Sequence, residues 1–378
     1  ADNAVANYDA SAWLWSAARS ELARVNGVTA RVDTRTEVPG TRQHPVEVTQ
    51  TDRMLILRDR STGQVSSLDL ATLQMTATTR TTPGLGVNVA LHEDAAFVID
   101  AVQGVVRQLD PRSLTPVGEP VRYLPGITGG SFDGAGRLWI GVPSEGTVSA
   151  VTAADLPDSP ASVSPGAGLS PERVETYRVA DPAHELVIST LDDGVAVLDR
   201  TAGALVTVRG DTVRPTKLTM TSPGALPTRT SGPRVPVTVP GERRVHVIAE
   251  GGGEVGAFTV PGSGDQLSPA VAWADRFYCA DEATGTIYTF DTQGRLIDTI
   301  RGKANGPLEL EVRENHLFIN APDSATARVV DDKHQVREVD KYANDVLGGD
   351  PPPAPPPPPP PKKPKVGKPG APRSVTAA

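Results

Sequence analysis

Acidic residues recur along this sequence in a pattern with chemical potential. Asp59, Asp100, Glu145, Asp192 with Asp193, Glu250, Asp281 with Glu282, and Asp323 each follow a short apolar run. If one fold brings them to the same end, their potentials add into an acidic crown that attracts a basic partner or a cation. The competing reading is local: Asp caps its own backbone in tight turns, wherever those turns lie. Ser16-Ala17-Ala18-Arg19 stands in the same place near the start of the chain and breaks the series. Other chemistry is thinly represented. No G-x-S-x-G elbow, H-E-x-x-H pair, phosphate-binding loop or C-x-x-C pair is present. The histidines (His44, His92, His184, His246, His316 and His334) are scattered. Cys279 is alone, so it forms no intrachain disulfide, and its apolar surroundings mark it as a small buried hydrophobe. No catalytic residue, metal ligand set or cofactor is therefore expected.

The elements that must position the acids are short strands. Ala274 to Ile300 shows the unit: an apolar run from Phe277 to Ala280, a turn with Gly285, a run from Ile287 to Phe290, a D-T-Q-G turn, and a third run to Ile300. Runs of about five aromatic and β-branched residues bounded by Asp, Thr and Gly read as antiparallel strands. The unit repeats from Trp13, Met54, Phe97, Trp139, Val187, Val245 and Leu317. Most copies are preceded by one more short strand, such as Val46-Glu47-Val48 or Val271-Ala272-Trp273. Four strands every forty residues or so is the period of a β-propeller blade. The fold expected is an all-β propeller of eight four-stranded antiparallel blades. Seven is the alternative, because the connection before Phe277 is short for a fourth strand. Asn3 to Asp9 alternates and is expected to supply the innermost strand of the first unit. Two proline-rich stretches, Thr152 to Pro171 and Thr216 to Arg234, read as surface insertions at opposite ends of the ring. All four tryptophans fall on strands, which suits a core between blades better than a carbohydrate platform.

The 378 residues carry a net charge of −8, unevenly distributed. The last seventeen contribute five positive charges and no acid, leaving −13 for the remainder. An acidic ring without a basic patch excludes a nucleic-acid reader. No apolar run is long enough for a membrane helix. Residues 1–345 are expected to form the propeller, 346–370 a proline- and lysine-rich linker, and 371–378 the start of another domain. Pro351 to Pro361 is almost unbroken proline, and polyproline makes a semi-rigid spacer expected to touch the ring little. It is also the form that SH3-type domains bind.

Beyond the spacer, Pro369-Gly370-Ala371-Pro372 followed by Val375-Thr376-Ala377 resembles the first strand of a fibronectin type III domain. Joined to the propeller repeat, the spacer and an Ala/Arg/Val-rich composition, this is similar to exported, membrane-anchored proteins of high-GC Gram-positive bacteria. The resemblance implies an extracellular or cell-surface fragment lacking both ends, attached to a membrane only through a segment outside this chain. The function expected is a non-enzymatic binding or scaffold module for a protein or cell-envelope polymer. The alternative is a channel-centred, metal-dependent lactonase or lyase, in which carboxylate, Asn and His side chains converge in the channel. Propellers that hold a quinone cofactor have a similar repeat, but the adjacent cysteines they use are missing here. Oligomeric state is left open.

Overall fold

The computed structural model describes residues 10–157, 168–302, 306–344 and 358–361. Strands form eight separate antiparallel sheets, taken here as blades in chain order. Blade one holds Ser11–Ser16, Glu21–Asn26 and Arg31–Glu37. Blade two holds Val46–Gln50, Met54–Asp59, Gln64–Asp69 and Gln74–Arg80, and blade three Val87–His92, Ala95–Asp100, Val105–Leu109 and Val121–Arg122. Blade four follows with Thr128–Phe132, Leu138–Val142, Thr147–Thr152 and Glu172–Arg178, and blade five with Leu186–Thr190, Gly194–Asp199, Ala204–Arg209 and Thr212–Lys217. Blade six has Val235–Val239, Arg244–Ile248 and Glu254–Thr259. Blades seven and eight each have four strands, Val271–Trp273 to Leu296–Ile300 and Glu309–Arg313 to Val336–Asp340. The chain is an eight-bladed β-propeller.

Burial explains the pattern. A middle strand such as Gly194–Asp199 is buried at every position, because a neighbouring blade covers each face. An outer strand such as Glu172–Arg178 is mostly exposed. Eight apolar clusters among the described residues each span one junction between consecutive blades. One of them joins Ala12, Leu14 and Val25 of blade one to Phe318 and Val329 of blade eight, so the ring closes on apolar packing. Cys279 lies in the junction of blades six and seven, fully buried, its thiol pushed up to about 12 by that burial.

Strands are lettered a to d from the channel outward. Turns between a and b, and between c and d, then share the a–b face; b–c turns and the links between blades share the b–c face. Blade six departs from the expected frame. Thr190 pairs in parallel with Arg229, and Ala225 pairs antiparallel with Thr238. The inner position of that blade is therefore taken by residues 225–230, and Val235–Val239 is its b strand. Pro223, Pro227 and Pro233 remove the donors a regular ladder needs. The stretch from Thr216 to Arg234 is thus only partly a surface insertion: Leu226 and Thr230 are buried. In blade five, Leu186–Thr190 is the inner strand rather than the second one.

Blade one shows how an inner edge closes with side chains. Ser11, Trp13 and Trp15 turn their backbone groups toward the channel side. The Gln50 amide accepts from Trp13 N–H at 2.8 Å and donates to Trp13 C=O at 3.1 Å, as a strand would. Arg313 donates to Ser11 C=O at 3.0 Å. Trp15 C=O accepts from Asn320 at 3.0 Å and from Lys341 at 3.3 Å. The strand expected at Asn3 to Asp9, the lysine-rich tail, the fibronectin-like segment and most of the polyproline lie outside the described residues. Pro358 to Pro361 are exposed and belong to no strand. No helix among the described residues is long and apolar enough to cross a membrane.

Candidate functional site at the a–b mouth

The acidic series divides between the two faces. Asp59, Asp100, Glu145, Asp281, Glu282 and Asp323 lie at b–c turns, as the repeat predicts. Asp192 and Asp193 sit in the a–b turn of blade five, and Glu250 in the c–d turn of blade six, on the opposite face. The one-strand shift of frame in those two blades is the cause, so the series forms no single crown.

At the b–c face, turn chemistry dominates. Asp59, Asp100 and Asp281 accept backbone N–H bonds from Ser61 at 2.9 Å, Gln103 at 3.0 Å and Ala283 at 3.1 Å. Asp199, which sequence reading passed over, does the same for Ala202 at 2.9 Å. The shared signal is D-x-x-x-G: Gly63, Gly104, Gly203 and Gly285 close the four turns with φ between 69° and 76°. A Cβ on Gly63 would lie 2.0 Å from Thr81 C=O, so both conformation and space demand glycine there. Asp59 and Asp281 are buried and paired, with His44 at 2.6 Å and Arg243 at 3.0 Å. Glu282 accepts from the Ser268 hydroxyl at 2.7 Å. Glu145 and Asp323 are exposed.

Exposed carboxylates collect instead in the a–b turns: Asp52, Glu93, Asp94, Asp192, Asp193, Asp275 and Glu314. Three of these turns are two-residue hairpins, Glu93-Asp94, Ala274-Asp275 and Glu314-Asn315. The last two have positive φ at both residues, the geometry that matches strand twist in tight hairpins. Several of the acids are neutralised. Asp192 meets Arg229 at 2.8 Å, Asp193 meets Arg209 at 2.6 Å, and Glu250 stands 3.8 Å from that same guanidinium. Partial burial by itself would raise the Asp192 carboxyl, but Arg229 and the Gly232 N–H outweigh it and hold it below the usual range. Asp52 meets Arg313 at 2.9 Å.

The a–b turns of blades two, three and eight enclose a cavity of about 600 Å³ at the channel mouth. Asp52, Glu93, Asp94 and Glu314 line it against Arg53 and Arg313, with His92 at its side. A second cavity of about 640 Å³ shares Gln50 to Arg53, Asp94 and Arg313 and runs outward between blades one and two to Arg24, Asp69 and Arg112. Together they make a polar groove from mouth to rim. Below it, inner-strand Glu309 and Glu311 face the closed edge of blade one, where Glu311 accepts from Gln50 at 3.1 Å. Glu309 still meets water inside the ring, but partial loss of solvation there pushes its carboxyl up to about 7, and the like charge of Glu311 adds to it. Burial also raises Glu311, against the pull of Arg313 and Gln50.

A carboxyl raised in the fold binds its proton more tightly than in the unfolded chain. Glu309 therefore makes wild-type stability rise as pH falls from about 7 toward 4.5. Glu309→Gln is expected to shrink that rise, and to lift the melting temperature at pH 8 by roughly 1 °C, since water screens the pair. Thermal unfolding at pH 5 and pH 8 checks this; an unchanged difference between the two pH values would contradict it.

Among the described residues no group of three or more His, Cys, Asp or Glu is placed to hold a metal ion. No protein-family model matches the sequence, and no curated protein matches it. Solved structures do. The dihydro-haem d1 dehydrogenase NirN in complex with DHE is similar with a TM-score of 0.63 at 13% identity, over 88% of this chain and 73% of that one. BamB from Moraxella catarrhalis gives 0.56 at 16%, over 82% and 90%. A streptogramin B lyase gives 0.52 at 10%, over 78% and 92%. The likeness is one of fold. At these identities the propeller is shared and no site is carried across.

Proposed function

We propose that this chain is a non-enzymatic binding and scaffold module of the cell surface or extracellular space, carried on its polyproline spacer, whose a–b mouth takes a basic protein segment. The observation that carries the reading is the mouth cavity, where four carboxylates from three blades face two guanidinium groups. One of those guanidiniums, Arg313, is already tied to Asp52 and to backbone carbonyls of blades one and two. Asp94 and Glu314 remain to meet a ligand, and so does Glu93, whose neighbour is the His92 imidazole at 3.9 Å. Each exposed carboxylate by itself is worth about 0–1 kcal/mol. Grouped at a concave mouth they focus their field and recruit an opposite charge.

The experiment uses the chain's own basic sequence, Lys362 to Gly370, as a labelled peptide of known composition. Fluorescence anisotropy is expected to show binding to the ring that weakens roughly tenfold between 50 and 300 mM salt, as the Debye length shortens. The E93Q/D94N/E314Q variant should bind several-fold more weakly at 50 mM, about 1 kcal/mol in all. Binding that ignores both salt and the variant would overturn the reading.

A further inference from the structure

At the opposite face, blade three carries three aliphatic side chains that the fold does not use. Leu85, Val102 and Leu124 are 83%, 69% and 52% exposed. They belong to three loops held side by side through one residue. Ala101 donates its N–H to Gly86 C=O at 2.8 Å, and its own C=O accepts from Gly126 and Ile127 at 2.9 and 3.0 Å. Val102 is thereby flanked by the loop of Leu85 on one side and that of Leu124 on the other.

The other blades show that these positions are ordinarily polar or small. Leu85 stands two residues before Val87, the inner-strand partner of Asp100. In blades two and five that place holds His44 and His184, which bond the equivalent Asp59 and Asp199 at 2.6 and 2.8 Å. Val102 occupies the third position of the D-x-x-x-G turn, where Ser61, Thr201 and Ala283 stand elsewhere. Leu124 follows Tyr123, whose N–H bonds Gly104 C=O as Thr81 bonds Gly63 and Leu218 bonds Gly203. The residues that follow in those blades are Thr82 and Thr219. Blade three thus replaces polar or small residues with large aliphatic ones at all three equivalent positions, on adjacent loops. A lone exposed aliphatic residue needs no explanation; a fixed group of three marks a contact surface.

Charge around the patch narrows the partner. Arg80 and Arg122 end the outer strands just before Thr81 and Tyr123, and both are exposed. Among the described residues neither guanidinium has a hydrogen-bond or ion-pair partner. Among the described residues exposed Glu119, three residues before Arg122, makes no ion pair with it, and Asp100, two residues before Val102, is engaged in its own turn with Gln103. We propose that Leu85, Val102 and Leu124, between Arg80 and Arg122, form a docking surface for an acidic protein segment with an apolar anchor. This surface lies on the face opposite the mouth and selects the opposite charge, so the ring presents two distinct interfaces.

The test is selection from a random twelve-residue phage library on the wild-type chain, with L85S/V102S/L124S as the counter-target. Surviving peptides are expected to combine large aliphatic or aromatic residues with Asp or Glu. Synthesised, they should bind wild type at least roughly tenfold more tightly than the variant, the scale of losing a buried apolar contact of ~1.4 kcal/mol. R80E/R122E should weaken the same peptides, and it serves as the main comparison should the triple variant not keep the wild-type melting temperature. Basic survivors, or none that distinguish the variant, would overturn the proposal. So would a wild-type dimer in sedimentation that the variant abolishes, because a second copy would then be the occupant. Binding to phosphatidylglycerol vesicles that the variant abolishes, without peptide selection, would assign the patch to lipid and overturn it as well.

Discussion

Replacing Lys341 by methionine is expected to lower stability by about 3 kcal/mol, because a buried network loses its charged donor. Lys341 is fully buried, and its Nζ donates to Asn320 Oδ1 at 2.9 Å, Ala321 C=O at 3.0 Å and Trp15 C=O at 3.3 Å. Trp15 belongs to blade one and Asn320 to blade eight, so this ammonium ties the ends of the ring together. Methionine keeps the apolar stem and leaves Asn320 Oδ1 without its donor, while Trp15 C=O keeps the Asn320 amide and Ala321 C=O keeps the Ser324 N–H. The loss also has a pH signature. Burial holds the Lys341 ammonium down to about 8, although Glu309, Asp323 and Glu21 favour its charge. Between pH 8 and 10 the folded lysine has released a proton that the unfolded chain still holds, so its contribution makes stability rise with pH there. Chemical unfolding of both proteins at pH 7 and pH 9.5 should show that rise in wild type and its absence in K341M. Equal stability of the two proteins at pH 7 would remove Lys341 from ring closure.

Trp139→Ala should be the costlier change, about 4 kcal/mol, by opening a cavity between blades four and five. The indole is 1% exposed and packs beside Val148, Leu186 and Val195. Its Nε1–H reaches Asp133 Oδ2 at 2.8 Å, inside a turn where Asp133 Oδ1 already accepts from Ala135 and Arg137. Alanine removes the packing and takes the close donor from a buried carboxylate oxygen, leaving it the Arg137 guanidinium at 3.5 Å. A melting temperature lower by roughly 8 °C is expected, and W139F, which keeps most of the apolar volume, should recover more than half of it. A phenylalanine variant as unstable as the alanine one would show that the hydrogen bond, and not the packing, carries the effect.

The ring was legible because its signal is repetitive. Apolar runs such as Met54 to Leu57 and Phe277 to Ala280 return with turn residues at fixed offsets, and each is buried on both faces. The D-x-x-x-G turns explain why acids recur at all: Asp59 and Asp100 hold their own backbones. The faces were harder to read. Inner and second strands are both short apolar runs, so Leu186–Thr190 and Gly194–Asp199 are interchangeable by pattern, and the choice decides where Asp192 points. Blade six hides its inner segment among prolines, which leaves Val235–Val239 as the first recognisable run. The side-chain closure of blade one was out of reach. Gln50 and Trp13 are 37 residues apart, and nothing local marks a glutamine whose amide bonds a strand edge in the neighbouring blade. The carboxylates that do gather at the mouth, Glu93, Asp94 and Glu314, sit in two-residue hairpins that read as turns and nothing more.

A basic segment should land on the a–b mouth of the ring and nowhere on the b–c face. A photo-crosslinking amino acid would be placed at Thr51, on the mouth, and separately at Ser144, in the b–c turn of blade four. Each protein would be irradiated with the Lys362-to-Gly370 peptide at 50 mM and at 300 mM salt. Crosslinking is expected from Thr51 alone, falling severalfold at the higher salt. Equal crosslinking from both positions, or crosslinking from Ser144 alone, would contradict it.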